Sequence, residues 1–216
     1  MVGSSSIVDL RNLLAERFPQ QAPPPHLRLA TGLPLIDEAI EGGLPKSAIT
    51  ELSSPNVSAG SALLICALLE RAHRDGYFLC LIDGRDSFDP QSLGQASLRN
   101  LLWVRCTKAF DAVKAADLLL RDGNFPLVIL DLVLNTPEEL RKIPPTTWYR
   151  LQRLVEAAPT AFLVLTRASI LSSAQLKLSL DNAWTLPDLE EDTLARRLKI
   201  IVKRTQGGRQ AMLGAG

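Results

Sequence analysis

Residues 51–76 read ELSSPNVSAGSALLICALLERAHRDG, a pattern that predicts a strand, a turn of small residues and a helix. This is the layout of a phosphate-binding loop, whose pattern G-x-x-x-x-G-K-[ST] brings backbone N–H groups, a lysine and a hydroxyl to phosphate and Mg²⁺. If the last glycine is Gly60, Ser54 lies near the first-glycine position but one residue too far away. Ser61 then takes the lysine position and Ala62 the hydroxyl position. Losing the charged contact alone costs about 1.5–3 kcal/mol of binding, so we expect weak phosphate binding.

The segments on either side of this loop alternate between apolar runs and helical patterns. Such alternation predicts an α/β fold with a mostly parallel sheet covered by helices on both faces. After Ser172 the pattern changes to shorter alternating segments, which predict an antiparallel extension at one edge of the sheet. The predicted strands span 48–52, 77–83, 100–106, 125–133 and 160–166, and the predicted helices span 35–40, 61–74, 110–121 and 146–159.

The N-terminal residues predict a short amphipathic helix. Its apolar positions recur at helical spacing, and they are Ile7, Leu10, Leu13, Leu14 and Phe18. The proline-rich sequence PQQAPPPH follows and ends the helix, which predicts an extended linker. We therefore divide the chain into a helix with its linker, residues 1–25, and a core domain, residues 26–210. The helix either packs on its own domain or docks on another chain that the linker lets it reach.

Composition excludes several classes of protein. The formal net charge of +1 over 216 residues favours neither a nucleic-acid binder nor a binder of acidic surfaces. No apolar run reaches the ~18 residues that a membrane helix needs, and the first residues do not form a signal peptide. His26 and His73 stand apart from other metal-ligand residues, so we expect no metal site and no metal cofactor. Three cysteines without C-x-x-C spacing are typical of reduced thiols, so we expect a cytoplasmic protein.

Three segments resemble, in order and spacing, the ATPase core of RecA recombinases. They are TGLPLIDEAIEGGLPKSAITEL at residues 31–52, LCLIDGRDSFDP at 79–90 and LVILDLV at 127–133. The resemblance covers about residues 29–135 well and implies a three-layer RecA-like core. With its short length and altered phosphate loop, the chain most resembles ImuA. The ImuA proteins are RecA-like accessory proteins of translesion synthesis, encoded in bacterial SOS mutagenesis cassettes.

The resemblance also implies that the ATPase chemistry is lost. RecA-type ATPases carry a glutamate just after the second strand to orient the attacking water, and Arg85 stands at that position here. Arginine cannot act as a base at neutral pH, although Asp86 is one residue further on. Asp131 matches the acid that ends the Walker-B strand, but it is equally an aspartate that caps a turn. We expect a pseudo-ATPase without a nucleotide cofactor, in which Arg85 forms an ion pair with Asp131.

The binding partners that we expect are implied by the resemblance and not by the composition. The likeness to ImuA implies binding to RecA, restraint of recombination, and assembly with ImuB and an error-prone DNA polymerase. In RecA filaments an N-terminal helix packs on the core of a neighbour, and residues 6–18 would mimic that helix. An unorthodox ATPase or recombinase is the first alternative.

A module that binds single-stranded DNA is the second alternative. Its contacts, which would equally serve a protein partner, are basic residues near the C-terminus: Arg196, Arg197, Lys199, Lys203 and Arg204. A solvated hairpin beside the acidic run at 188–192 explains the same residues. Trp148 and Tyr149 either stack on bases or anchor a helix to the core.

Overall fold

A computed structural model describes residues 28–56, 59–184 and 197–205. Within these residues, seven strands form one sheet in the order β5-β4-β6-β7-β3-β8-β9. Neighbouring strands are parallel except for the last pair, β8 and β9, and β1 and β2 form a small antiparallel pair. The strands are β1 Arg28–Leu29, β2 Leu44–Pro45, β3 Ala48–Ser53, β4 Leu79–Asp83, β5 Leu101–Arg105, β6 Leu127–Asp131, β7 Ala161–Thr166, β8 Leu176–Leu180 and β9 Ile200–Thr205.

Helices cover both faces of the sheet and make three layers. On β4, Leu79 and Leu81 pack in one apolar cluster, while Cys80 and Ile82 pack in the other. This alternation follows from the two-residue period of a strand, and it explains why the central strands are mostly apolar on both faces. The helices are α1 Pro34–Ala39, α2 Ser61–Asp75, α3 Gln95–Leu98, α4 Ala109–Asp122, α5 Pro137–Arg141 and α6 Pro145–Glu156, with a 3₁₀ turn at Pro90–Ser92.

Helix α2 packs on one face of the sheet, and α4 and α6 pack on the other. The buried side of α2 includes Leu64, Leu68 and Leu69, which join the first apolar cluster. Ala112 and Ala116 of α4 and residues of α6 join the second cluster. The predicted α/β fold with a mostly parallel, doubly covered sheet is therefore confirmed, and this architecture is consistent with a RecA-like core.

The C-terminal extension differs in part from its prediction. Strand β8 runs parallel to β3, with Thr50 opposite Leu176, and only β9 is antiparallel. A parallel strand requires the chain to cross back from the end of β7 to the start of β8, and residues 167–175 make this crossing without a helix. Because the crossing carries no helical pattern, the sequence did not reveal it.

A buried carboxylate that sequence analysis overlooked holds this crossing in place. Glu51, in the central strand β3, is 1% exposed. It accepts hydrogen bonds from the backbone N–H groups of Ile170 and Leu171 at 2.6 and 2.9 Å. Its other oxygen accepts from the Ser169 hydroxyl at 2.7 Å and lies 3.1 Å from the Lys177 ammonium. The buried charge is thus paired and hydrogen-bonded, as buried carboxylates must be.

Candidate functional site

The carboxyl ends of β3, β4, β6 and β7 meet at one edge of the sheet. Asp83 of β4 lies opposite Asp131 of β6, and Ser53 of β3 lies opposite Thr166 of β7. In open α/β sheets this edge is where ligands bind, at the point where the strand order reverses. The fold therefore brings the loop after β3, which the sequence predicts to be an altered phosphate loop, to the same edge as Asp83 and Asp131.

The loop after β3 is buried at both ends, at Ser54 and at residues 59–60, while Pro55 and Asn56 are exposed. The Ser54 N–H donates to the Thr166 carbonyl at 2.7 Å, and the Ser54 side chain is 1% exposed. Gly60 has a φ of +102° and immediately precedes α2, a conformation that favours glycine. Ser61, at the lysine position, is buried at 9% exposure, whereas Ala62 is exposed. Val57 and Ser58 lie outside the described residues.

Two segments near the C-terminus lie over the end of this loop. The Asn182 side-chain amide donates to the Ala59 carbonyl at 2.9 Å, and its oxygen accepts from the Lys199 N–H at 2.8 Å. Trp184 and Leu198 lie so close to Gly60 that a Cβ there would be 2.7 Å from Leu198 Cδ1 and 3.0 Å from Trp184 Cη2. We call Asn182, Trp184 and Leu198 the C-terminal cover.

Sequence analysis did not identify the C-terminal cover. Asn182 and its partner Ala59 are 123 residues apart. No local spacing rule connects positions so far apart, and the pattern around Trp184 resembles that of any edge strand. The nearest signal in the sequence is that Lys and Thr are missing at positions 61 and 62, but this does not say what lies there instead.

The predicted ion pair between Arg85 and Asp131 is wrong. The Arg85 guanidinium lies 3.3 Å from a carboxylate oxygen of Glu139 and donates to the Thr107 carbonyl at 3.0 Å. Asp131 instead accepts a hydrogen bond from the N–H of Val133 at 3.0 Å, which closes the turn after β6. The reason is that α5 presents Glu139 near Arg85, and an exposed pair costs less desolvation than one at the buried end of β6. The turn-capping interpretation of Asp131 is the one that the geometry supports.

Asp83 and Asp131 differ in the surroundings of their carboxylate groups. Asp83 is 1% exposed and accepts from the N–H groups of Ser87 and Phe88 at 2.8 Å each, so it organises the loop after β4. Burial raises the pKa of Asp131 to about 6, and the nearby charge of Asp83 adds to the rise. The hydrogen bond from the Val133 N–H acts in the opposite direction and lowers the pKa of Asp131, but burial has the larger effect.

An asparagine and a glutamate connect the ends of β4 and β6. Asn135, 2% exposed, donates to the Gly84 carbonyl at 3.0 Å and to Glu139 at 3.1 Å. The hydrogen bond from Asn135 lowers the pKa of Glu139, and the Thr136 N–H and the charge of Arg85 act in the same direction. Gly84 has no room for a side chain, because a Cβ there would lie 2.6 Å from the Asp131 carbonyl oxygen. The polar cluster formed by Asp83, Arg85, Asp131, Asn135 and Glu139 is therefore tightly built around backbone contacts.

The remaining candidate residues lie elsewhere or outside the described residues. Lys199 and Lys203 are exposed near the edge strand β9, as is Arg197. Trp148 is 5% exposed and belongs to the core, which confirms that it anchors α6 and leaves no face free for a base. Tyr149 is half-exposed, and its hydroxyl lies 3.2 Å from that of Ser172.

Three groups of predictions fall on residues that the structure does not describe. They are the N-terminal helix with its apolar residues, the side chain of Arg204, and Arg196. Among the described residues there is no cluster of histidine, cysteine and carboxylate side chains suited to a metal ion. In the same residues, no helix is long and apolar enough to cross a membrane.

Comparison with known proteins gives a partial similarity to RecA. No protein-family model matches the chain. It is 29% identical to the RecA protein of Frankia alni over 113 residues, which is 51% of this chain and 32% of that protein. It is 31% identical to the RecA protein of Acinetobacter baumannii over 109 residues, 49% of this chain and 31% of that protein. The matched stretch therefore spans about a third of the curated relatives, and it supports a RecA-like core.

Proposed function

We propose that this chain is a RecA-like protein of the bacterial DNA-damage response, most like ImuA, that acts by binding other proteins and does not hydrolyse ATP. In this proposal it binds RecA in the cytoplasm and restrains recombination. It also joins ImuB and an error-prone DNA polymerase, so that translesion synthesis is favoured. The similarity to RecA supports the core of the proposal, and the ImuA assignment rests on the altered phosphate loop.

The main support for the proposal is the identity and surroundings of the residues at two positions that an ATPase needs. Ser61, where a lysine would meet the terminal phosphates, carries no charge and is buried. Arg85, where a glutamate would orient water, is paired with Glu139. General-base help is worth about 10²–10⁴ in rate, and a charge-assisted phosphate contact about 1.5–3 kcal/mol in binding. A site that lacks both the general base and the charged phosphate contact is expected to hydrolyse ATP very slowly.

The proposed contact with RecA is the N-terminal helix. Its apolar residues Ile7, Leu10, Leu13, Leu14 and Phe18 would fit an apolar groove at helical spacing. The proline-rich linker would give this helix reach beyond its own core. Binding of this kind needs no nucleotide, which agrees with the altered loop.

The test of partner binding is capture of purified RecA by the full chain. We expect Leu10→Glu with Leu13→Glu to reduce capture at least tenfold while leaving thermal unfolding of the core unchanged. The matched control is Asn12→Glu with Ala15→Glu, which adds the same charge away from the apolar positions and should retain capture. Equal capture by both double variants would remove the helix from the proposal, and no capture by the unmodified chain would reject RecA as a partner.

The ATPase alternative is decided by a nucleotide titration. We expect no saturable binding of Mg²⁺–ATP at millimolar concentration. Saturable binding that Asp131→Ala removes would favour an unorthodox ATPase and reject the pseudo-ATPase proposal.

A weak contact with single-stranded DNA is the other alternative, and the exposure of Lys199 and Lys203 favours it. A contact of this kind releases counterions, so its affinity must fall steeply as salt rises. Salt-dependent binding that Lys199→Ala and Lys203→Ala weaken would support a role for these residues, together with Arg196, Arg197 and Arg204, in DNA binding. Binding that neither substitution changes would exclude these residues as the contact.

A further inference from the structure

The end of helix α2 that faces the altered loop has no free space beside Gly60. Besides the two atoms already given, Trp184 Cζ3 would lie 3.2 Å from a Cβ at this position. A methyl group does not fit at these distances, and a phosphate group is larger. The side chains of Trp184 and Leu198 therefore lie where an open phosphate loop has solvent.

The C-terminal cover is anchored at both of its segments. The Asn182 amide group donates to the Ala59 carbonyl at 2.9 Å and to the Lys199 carbonyl at 3.3 Å, while its oxygen accepts from the Lys199 N–H. Asn56 donates from the other side of the loop to the Asn182 carbonyl at 3.1 Å. Asn182 is 5% exposed, and its bond to Ala59 is buried, whereas the bonds to Lys199 and from Asn56 are partly buried.

The cover continues the ladder between β8 and β9. The last strand pair is Leu180 with Ile200, and the Asp181 N–H then donates to the Lys199 carbonyl at 3.1 Å. Leu198, directly before this ladder, is 4% exposed and belongs to the same apolar cluster as α2. The position of the cover is therefore set by an edge of the sheet.

The sequence of the loop agrees with an apolar cover. A lysine at position 61 would lie at a position that is only 9% exposed. A buried, unpaired ammonium group is strongly unfavourable, whereas a serine is tolerated there. The change from lysine to serine and the contact of Trp184 and Leu198 with Gly60 are two separate observations that point to the same arrangement.

We propose that the C-terminal cover permanently occupies the N-terminal end of α2, with Trp184 and Leu198 excluding phosphate groups and Asn182 holding them in place. The cover takes the place that a nucleotide has in an active ATPase. This inference depends only on contacts inside the chain, and it holds whether or not the chain binds RecA.

The test is hydrogen exchange of the first backbone amides of α2, residues 61–63, in the full-length protein. The first N–H groups of a helix have no acceptor within the helix, so at an open helix end they exchange quickly. We expect the unmodified chain to protect them at least tenfold relative to an unprotected peptide. Millimolar Mg²⁺–ATP should leave their exchange unchanged, because the cover already occupies the site.

The variant Asn182→Ala should speed exchange at residues 61–63 at least tenfold and leave exchange in Leu127–Asp131 of β6 unchanged. The matched control is Asn124→Ala, an exposed asparagine that hydrogen-bonds only Asp122 among the described residues. This control should change nothing at residues 61–63. Trp184→Ala should act in the same direction as Asn182→Ala.

Three outcomes would overturn the inference. One is exchange of residues 61–63 in the unmodified chain at the unprotected rate. Another is slower exchange at these amides when Mg²⁺–ATP is added, which would mean that nucleotide reaches the helix end. The third is unchanged exchange in both variants. If a variant unfolds, exchange in β6 will rise as well. The inference is then judged on the unmodified chain alone, by the protection of residues 61–63 and by its response to Mg²⁺–ATP. The first and third outcomes would overturn this inference and leave the proposed function intact, whereas binding of Mg²⁺–ATP would count against both.

Discussion

The loop after β3 and the ends of β4 and β6 lie at the same edge of the sheet, yet they are closed by different chemistry. The first is closed by the C-terminal cover, through two apolar side chains and one neutral amide. The second is closed by the polar cluster, in which two aspartates lie opposite each other and Arg85 pairs with Glu139. Apolar contacts and amide hydrogen bonds do not respond to protons, whereas a cluster of carboxylates does. The two closures should therefore respond differently to substitution, to pH and to salt.

The largest effect is expected at Gly84 in the polar cluster. In Gly84→Ala the new Cβ would lie 2.5 Å from Asn135 Oδ1 and 2.6 Å from the Asp131 carbonyl oxygen, and the backbone atom cannot rotate away. We expect the free energy of unfolding to fall by about 3 kcal/mol, measured by urea denaturation. Gly123→Ala is the control, because nothing lies within 4 Å of its Cβ and only its φ of +70° resists the change. If both variants lose the same free energy of unfolding, the close contacts of a Cβ at position 84 do not destabilise the protein.

The next largest effect is expected at Asn182 in the C-terminal cover. Asn182→Ala removes the partner of the Ala59 carbonyl in a buried hydrogen bond and that of the Lys199 N–H in a partly buried one. We expect a loss of about 2 kcal/mol in the free energy of unfolding, equal at pH 5 and pH 8 because no proton is involved. A loss that changes strongly with pH would contradict the neutral character of this closure.

Asp131→Asn is expected to stabilise the protein at neutral pH. The raised pKa of about 6 means that the folded state binds a proton more tightly than the unfolded state does. The contribution of Asp131 to stability is therefore complete below pH 4 and is lost as the pH rises to about 6. Asparagine keeps the oxygen that accepts from Val133 and removes the charge. At pH 8 we expect the variant to be more stable by about 1–2 kcal/mol.

The measurement is the difference in unfolding free energy between Asp131→Asn and the unmodified chain from pH 4.5 to pH 8. Taking the difference cancels the contributions of the other carboxylates. We expect it to grow across this range and to level off above pH 7. A variant that is less stable at pH 8 would mean that the charged form of Asp131 is stabilised by a group absent from the described residues.

The smallest effect is expected for Arg85→Gln. The pair with Glu139 is exposed on both sides, at 42% and 28% of side-chain surface, so water and salt screen it. We expect a loss of no more than about 0.5 kcal/mol in unfolding free energy, and less at 1 M NaCl than at 50 mM. Chemical denaturation at the two salt concentrations checks this, and a loss above about 2 kcal/mol would mean that Arg85 is a central support of the cluster.

Sequence patterns predicted most strands and helices of the core, because each of these patterns involves residues that are close together in the sequence. The first four residues of the run LVILD are apolar and buried, and the strand lies in the middle of the sheet, so burial on both faces follows from composition. Helix α2 begins after Gly60 and ends at Gly76, two residues whose conformations favour glycine. The same patterns did not place β8, because a parallel crossing without a helix depends on Glu51 reaching residues more than a hundred positions away.

The sequence by itself determined that this protein has a doubly covered α/β sheet and that Ser61 and Ala62 follow the last glycine of the loop after β3. Only the tertiary structure decided what closes that edge of the sheet. It joins Arg85 to Glu139 instead of Asp131, and it sets Trp184 and Leu198 against Gly60. The physical reason is that strand and helix patterns arise from spacing within a few residues, whereas the filling of a site depends on which distant side chains reach it and on the cost of burying each one.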